Sequence, residues 1–212
     1  MGSKAWLIGT ELKYGGLVKK VPRKKVSPLD ERTPQQLATG GMQGGDRMLF
    51  HGYAKTYESV LRRYIGKSVT LVEVGILKGT GLAIWSELFE NSKIIGLDID
   101  LSYTQKNIPQ LKKNGAFNEG NPELHEFDQL QNNTNLMKKI LSARKIDIFI
   151  DDGLHTDESI IRTFESVEPY LSEDFTYIIE ANHTAYATLE AQYGQYEFTN
   201  EKLITVVKRK LL

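Results

Sequence analysis

Two periods of apolar positions alternate along this chain. Short apolar runs predict strands at 69–74, 93–98, 123–127, 146–150 and 175–180. Helical spacing separates most of them, and upstream, residues 50–65 set Tyr53, Tyr57, Val60, Leu61 and Tyr64 on one helical face. Parallel strands need a long right-handed crossover, so this alternation predicts an α/β fold with helices on both faces of a mostly parallel sheet. The last two runs, Tyr196–Phe198 and Leu203–Lys208, are separated only by Thr199, Asn200, Glu201 and Lys202. They form an antiparallel hairpin, which brings the expected sheet to seven strands. Residues 1–45 lack this regularity. Lys19, Lys20, Arg23, Lys24 and Lys25 cluster around Pro22, and Gly40, Gly41, Gly44 and Gly45 follow. The expected organisation is a partly irregular, mobile N-terminal arm over 1–45 and one domain over 46–212.

The stretch VTLVEVGILKGTGLAIWSELFENSKIIGLDID, residues 69–100, carries the first chemistry. Glu73, Gly75, Gly79 and Gly81 stand where the first strand gives way to a helix, so the backbone there can approach a ligand closely. Asp98 ends the second strand, where a carboxylate can accept the hydroxyls of a ribose. A dinucleotide fingerprint needs G-x-G-x-x-G, whereas this turn reads E-x-G-x-x-x-G-x-G. Glu73 would repel a pyrophosphate and attract a cation such as the sulfonium and ammonium of S-adenosylmethionine. The segment resembles motifs I and II of the class I methyltransferases; an ordinary strand–turn–helix with a glycine-rich corner is the plainer alternative.

A second stretch, IDIFIDDGLHTDES at 146–159, delivers Asp151, Asp152 and His155 to the sheet's C-terminal edge, where α/β folds bind ligands. The adjacent carboxylates project in different directions, so one can face the cofactor and the other the reaction centre. A third stretch, FTYIIEANH at 175–183, brings Glu180 to the same edge. Asp152 and Glu180 can converge on a hard divalent cation, which prefers carboxylate oxygen. The plainer alternatives are a helix cap with a solvated imidazole for Asp152 and His155, and an ion pair for Glu180.

Asp-Asp-Gly-x-His after the fourth strand and Tyr-Ile-Ile-Glu on the fifth resemble the metal-dependent sugar O-methyltransferases of the macrocin type. GGDRMLFHGYAKTYESVL at 44–61 is similar to the element that precedes the fold in those enzymes. The resemblance covers about residues 46–212 and implies a Rossmann-like class I methyltransferase fold. It implies that Asp152 and Glu180 hold Mg²⁺ and that His155 is the general base. Glu73, Gly75, Asp98 and Asp128 would contact S-adenosylmethionine, with Asp98 on the ribose and Asp128 on the adenine side. The expected reaction is methyl transfer to a hydroxyl of a sugar, glycan or sugar-containing small molecule. Two departures stand out. Where the family has a second acid after the glutamate this chain has Ala181, so Asn182 would have to supply the missing metal ligand, and Arg47 stands where lysine is usual. The chain is also short beside antibiotic-pathway members with an additional N-terminal domain, which leaves acceptor and oligomer open.

Composition narrows the partners. Lys plus Arg and Asp plus Glu both total 27 over 212 residues, so net charge gives no reason to expect nucleic acid or a membrane surface. Cysteine is absent, which excludes disulfides and a thiol nucleophile and suits the cytoplasm. No run suggests membrane insertion. The arm could cover the site of a neighbouring copy, so a homo-oligomer is compatible. His51, Tyr53 and Tyr57 could line the acceptor pocket or simply pack; His125, Trp6 and Trp85 read as structural. A non-catalytic S-adenosylmethionine-binding or assembly subunit of the same fold is the reading from another class, and His155 argues against it.

Overall fold

The computed structural model describes residues 1–15, 28, 33–35, 45–201 and 203–210. The basic cluster at 19–25 and Gly40, Gly41 and Gly44 lie outside the described residues. Seven strands form one sheet: β1 (Thr70–Val74), β2 (Lys93–Asp98), β3 (Glu123–Glu126), β4 (Ile146–Asp151), β5 (Leu171–Glu180), β6 (Tyr196–Glu201) and β7 (Ile204–Arg209). Their order is β3-β2-β1-β4-β5-β7-β6. β1 to β5 pair in parallel, while β7 inserts antiparallel beside β5 and carries β6 on its outer edge. The strand reversal lies between β1 and β4, which opens a crevice at their C-terminal ends.

The helices are α1 (Lys4–Gly15), α2 (Ala54–Leu61), α3 (Thr80–Leu88), α4 (Ser102–Lys113), α5 (Thr134–Leu141), α6 (Asp157–Val167) and α7 (Ala185–Gln192). Period-two alternation along each strand divides the core in two. Leu71, Ile148, Ile150 and Ile178 pack with α1, α2 and α3, whereas Val72, Phe149, Tyr177 and Ile179 pack with α5, α6 and α7. Both faces of the sheet are therefore covered, as the apolar runs require. α6 starts where Thr156 Oγ1 accepts from the backbone N–H of Ser159, and Asp157 and Glu158 in its first turn suit the positive end of the helix dipole.

The expectation of a mobile arm does not hold for residues 4–15. They form a helix that buries Leu7, Thr10, Glu11 and Tyr14 against α2 and α3. Its buried positions recur three and four apart, but two of the four, Thr10 and Glu11, are polar, so no apolar stripe marks the helix.

Candidate functional site

A cavity of about 770 Å³ opens at the C-terminal ends of β1, β2, β4 and β5. Its lining includes Leu77, Asp98, Tyr103 and Asp128 toward the β2–β3 side of the sheet, Asp152, His155 and Glu180 toward the β4–β5 side, and Gly75 between them on β1's turn, with His51 and Tyr53 also on the wall. Among the residues expected at the site, Glu73, Gly75, Asp98, Asp128, Asp152, His155 and Glu180 therefore share one cavity.

Asp98 is held by backbone N–H groups of two turns. Oδ2 accepts from the Leu77 N–H at 3.0 Å and Oδ1 from the Asp100 N–H at 3.1 Å. Burial raises its pKa above the ordinary value and these backbone bonds oppose the rise. Asp128 is fixed in a similar way, accepting from the Leu130 N–H and from Gln131 Nε2. Gly75 has φ +85°, and a Cβ there would stand 2.1 Å from the Asp152 carbonyl oxygen. Its lack of a side chain is thus required by the neighbouring backbone as well as by any ligand.

Strand alternation places Glu73, Asp152 and Glu180 on the face occupied by α1, α2 and α3, and one cation meets all three. Arg47 Nη2 donates to Glu73 Oε1 at 2.5 Å and to Asp152 Oδ2 at 2.7 Å, and its Nε lies 2.6 Å from Glu180 Oε1. The guanidinium lies over the rings of Trp85 and Tyr57, at 5.5 and 5.8 Å from their centroids. Trp85 Nε1 donates to the other Glu73 oxygen at 3.0 Å, and the Tyr57 hydroxyl donates to Glu180. Gly81 makes room for this arrangement: a Cβ there would sit 2.4 Å from Glu73 Oε1.

Burial works against the Arg47 charge, but Glu180 and Glu73 overcome it and hold its pKa well above the usual value. Burial pushes Glu180 up to about 8, with Arg47 opposing and Asp152 adding to the rise. Arg47 itself is positioned from the N-terminal helix. Glu11, buried on α1, accepts from the backbone N–H groups of Met48 and Leu49 at 2.8 and 3.0 Å. Nothing in the sequence around Glu11 signals that role, and Arg47 shows itself only as the residue standing where lysine is usual.

His155 faces this network with a backbone φ of +63°, a left-handed conformation uncommon outside glycine. Its Nδ1 lies 3.1 Å from the Glu180 carbonyl oxygen, which can only accept, so Nδ1 carries the hydrogen and Nε2 the lone pair. Nε2 is 3.6 Å from Asp152 Oδ1. Ala181, on the far side of Glu180, has φ +53°. One non-glycine residue in left-handed backbone thus follows Glu180 and another contacts its carbonyl, a concentration of strain found at functional sites.

No family model matches the chain. Among curated proteins, it is 25% identical over 175 residues to the 8-demethyl-8-alpha-L-rhamnosyl tetracenomycin-C 2'-O-methyltransferase of Streptomyces olivaceus, covering 78% of this chain and 42% of that protein. It is 27% identical over 146 residues to the demethylmacrocin O-methyltransferase of Streptomyces fradiae, covering 64% and 33%. The chain thus spans less than half the length of these relatives. Among solved structures, MycE methyltransferase from the mycinamycin biosynthetic pathway, in complex with Mg and SAH, superposes with a TM-score of 0.60 at 18% identity over 76% of this chain and 50% of that one. The O-methyltransferase from Bacillus cereus in complex with SAH gives 0.51 at 13% identity, over 67% and 74%. The chain has the class I methyltransferase fold. Its sequence resembles sugar O-methyltransferases.

Three expected site residues fall outside the lining of the methyltransferase-fold cavity. Gly79 caps α3 with φ +75° and faces Thr104. Asp151 shares the strand face of Phe149 and points away from Asp152. It is buried, and accepts from Gln129 Nε2 at 2.9 Å beside Thr163 and Tyr177. Gln129 Oε1 in turn accepts from the Leu154 N–H at 2.7 Å, so this buried pair anchors the loop that carries His155. Asn182 is a cap: its Oδ1 accepts from the N–H groups of Thr184 and Ala185, and its Nδ2 donates to the His155 carbonyl and to Asp157. That oxygen is committed to the start of α7 and does not replace the acid absent at Ala181.

Asp152 and Glu180 fit Mg²⁺ on donor chemistry, since that ion binds through one or two carboxylates and keeps its remaining waters. Among the described residues no cluster of three or more His, Cys, Asp and Glu side chains has the arrangement of a metal site. No described helix is long and apolar enough to cross a membrane.

Asp151 gives a stability prediction. Burial pushes its carboxyl up to about 7, with the Gln129 hydrogen bond opposing. The folded state then holds this proton more tightly than the unfolded chain, so the contribution is complete below about pH 4 and is lost as pH rises through 7. Asp151→Asn keeps an acceptor for Gln129 and removes the titration. Its melting temperature is expected to gain on the wild type between pH 5 and pH 8; parallel profiles would contradict the assignment.

Proposed function

We propose that this protein is an S-adenosylmethionine-dependent O-methyltransferase acting on a hydroxyl of a sugar-containing small molecule. The observation that carries the reading is a single cavity lined by both a ribose-type carboxylate after β2 and acid/base groups after β4 and β5. Asp98, beside the glycine turn, suits an adenosine, while Asp152, His155 and Glu180 suit an acceptor hydroxyl. The Streptomyces olivaceus relative is named as an O-methyltransferase of a rhamnosyl compound, which supports the acceptor class.

In this reading the acceptor oxygen attacks the methyl carbon in line with the departing sulfur, which leaves with the bonding pair as a neutral thioether. His155 Nε2 takes the hydroxyl proton, and Asp152 stabilises the resulting imidazolium. Tyr53 and His51, stacked at 5.5 Å between centroids, offer a flat surface to the acceptor at the cavity mouth. Mg²⁺ bound by Asp152 and Glu180 would supply Lewis-acid polarisation of the acceptor hydroxyl. Tyr57 and Trp85 hold Glu180 and Glu73 from beneath.

Incubation with methyl-labelled S-adenosylmethionine and a panel of glycosides tests this. The expected product carries its label in an alkali-stable ether on the sugar. Label in an ester or on nitrogen, or none in any acceptor despite cofactor binding, would contradict it. The last outcome would favour the non-catalytic subunit, a reading to which the lack of an acid at position 181 lends support.

A further inference from the structure

We infer that the acidic edge of this site has one cation slot, that Arg47 fills it from within the chain, and that a divalent metal ion binds only by displacing the Arg47 guanidinium. The inference rests on the reading of Asp152 and Glu180 as metal-binding carboxylates. Three carboxylates from β1, the end of β4 and β5 converge on this guanidinium, whose side chain is only 8% exposed. The two that suit a hard divalent ion, Asp152 and Glu180, are among its three partners. Arginine does not lose its proton in a protein, so the positive charge stays wherever the side chain goes. A divalent ion beside it in this buried corner would face a like charge in a medium that screens poorly. The two cations therefore exclude each other.

The surrounding contacts favour exchange over simple blockage. Glu11 pins the backbone on the C-terminal side of Arg47, while the side chain is unbranched and has no covalent constraint on its swing. The carboxylates are held independently of it: Glu73 by Trp85, Glu180 by Tyr57, and Asp152 on a segment whose N–H bonds the Val74 carbonyl. They stay in place when the guanidinium leaves. Ala181 has no side-chain oxygen and the Asn182 amide oxygen is taken by the start of α7, so neither adds a metal ligand beside Glu180.

Calorimetric titration with Mn²⁺, as a probe for a hard divalent ion, tests this in the full chain without any turnover. Arg47→Gln, which removes the charge, is expected to bind Mn²⁺ at least about tenfold more tightly than the wild type. Mn²⁺ should also raise the melting temperature of Arg47→Gln more than that of the wild type, because the variant leaves its carboxylates unpaired. Arg47→Lys keeps the charge with a weaker grip, should fall between the two, and carries the test if Arg47→Gln does not fold. Adding Asp152→Asn to either variant should abolish the gain. Equal or weaker binding by the variants, or no Mn²⁺ binding by any form, overturns the inference. S-adenosylhomocysteine titrated into the same proteins reports on the methyltransferase reading separately. Failure there with the Mn²⁺ order intact removes the function but not the exchange.

Discussion

Replacing His155 with alanine is expected to lower methyl transfer by roughly two to four orders of magnitude while leaving S-adenosylhomocysteine binding nearly unchanged. The basis is its position in the cavity beside Asp152 and Glu180, on the β4–β5 side of the sheet, whereas Asp98 follows β2. The Glu180 carbonyl fixes the tautomer, so Nε2 is the lone pair available to the acceptor. Because the residue holds φ +63°, His155→Asn is the better control: asparagine tolerates the left-handed region and has no comparable base. Both variants should fold, bind the cofactor product and fail to turn over. A loss of binding parallel to the loss of rate would assign His155 to the cofactor instead, and retained turnover in either would remove it from the base role.

The largest stability effect is expected at Gly75. A Cβ placed there meets the Asp152 carbonyl oxygen at 2.1 Å, the Asp152 carbonyl carbon at 2.5 Å and the Gly153 Cα at 2.6 Å. All three belong to backbone and cannot rotate away, and φ is +85°. Overpacking and left-handed strain together put Gly75→Ala at about 3 kcal/mol or more. For a domain of this size that lowers the melting temperature by roughly 6–12 °C. The clash pushes on the segment between Asp152 and His155, so residual activity should fall further than the melting temperature alone explains. A melting temperature within a degree or two of wild type would mean that β1 and β4 are not packed as described.

β1, β2, β4 and β5 were legible because each is a short apolar run with β-branched residues, and the hairpin because its connection is too short for a crossover. Convergence of Asp98, Asp152, His155 and Glu180 was legible for a related reason: each follows such a run, and strand ends in a parallel sheet share an edge. Which way a side chain points was also encoded, in the alternation along β4. Asp151 shares the face of Phe149, and Asp152 shares that of Ile148 and Ile150. The expectation that the two acids point apart is met, but the face given to Asp151 leads to Gln129 in the core rather than to the cavity where a cofactor was expected. Asn182 misled because proximity in sequence to Glu180 says nothing about the free N–H groups of α7 that claim its oxygen.

Contacts distant in sequence were illegible. The ion pairs between Arg47 and Glu73, Asp152 and Glu180 cross from the residues before α2 to three strands, and no periodicity marks a lone arginine after a glycine-rich stretch. Glu73 reads as open to a sulfonium, yet both its oxygens are engaged, one by Arg47 and the other by Trp85. The ion-pair alternative for Glu180 is likewise realised, through Arg47. Glu11 is a single acid in a segment that reads as an arm, and only the fold brings it beneath Met48 and Leu49.

In the proposed reading, Asp98 binds the ribose of the S-adenosylmethionine adenosine. Calorimetric titration with S-adenosylhomocysteine, run on the wild type and on Asp98→Ala, tests it most directly. Saturable one-site binding by the wild type is expected, with at least about tenfold weaker binding by the variant from the lost charge-assisted hydrogen bonds to the ribose. Absence of binding to the wild type, or equal binding by both proteins, would contradict it.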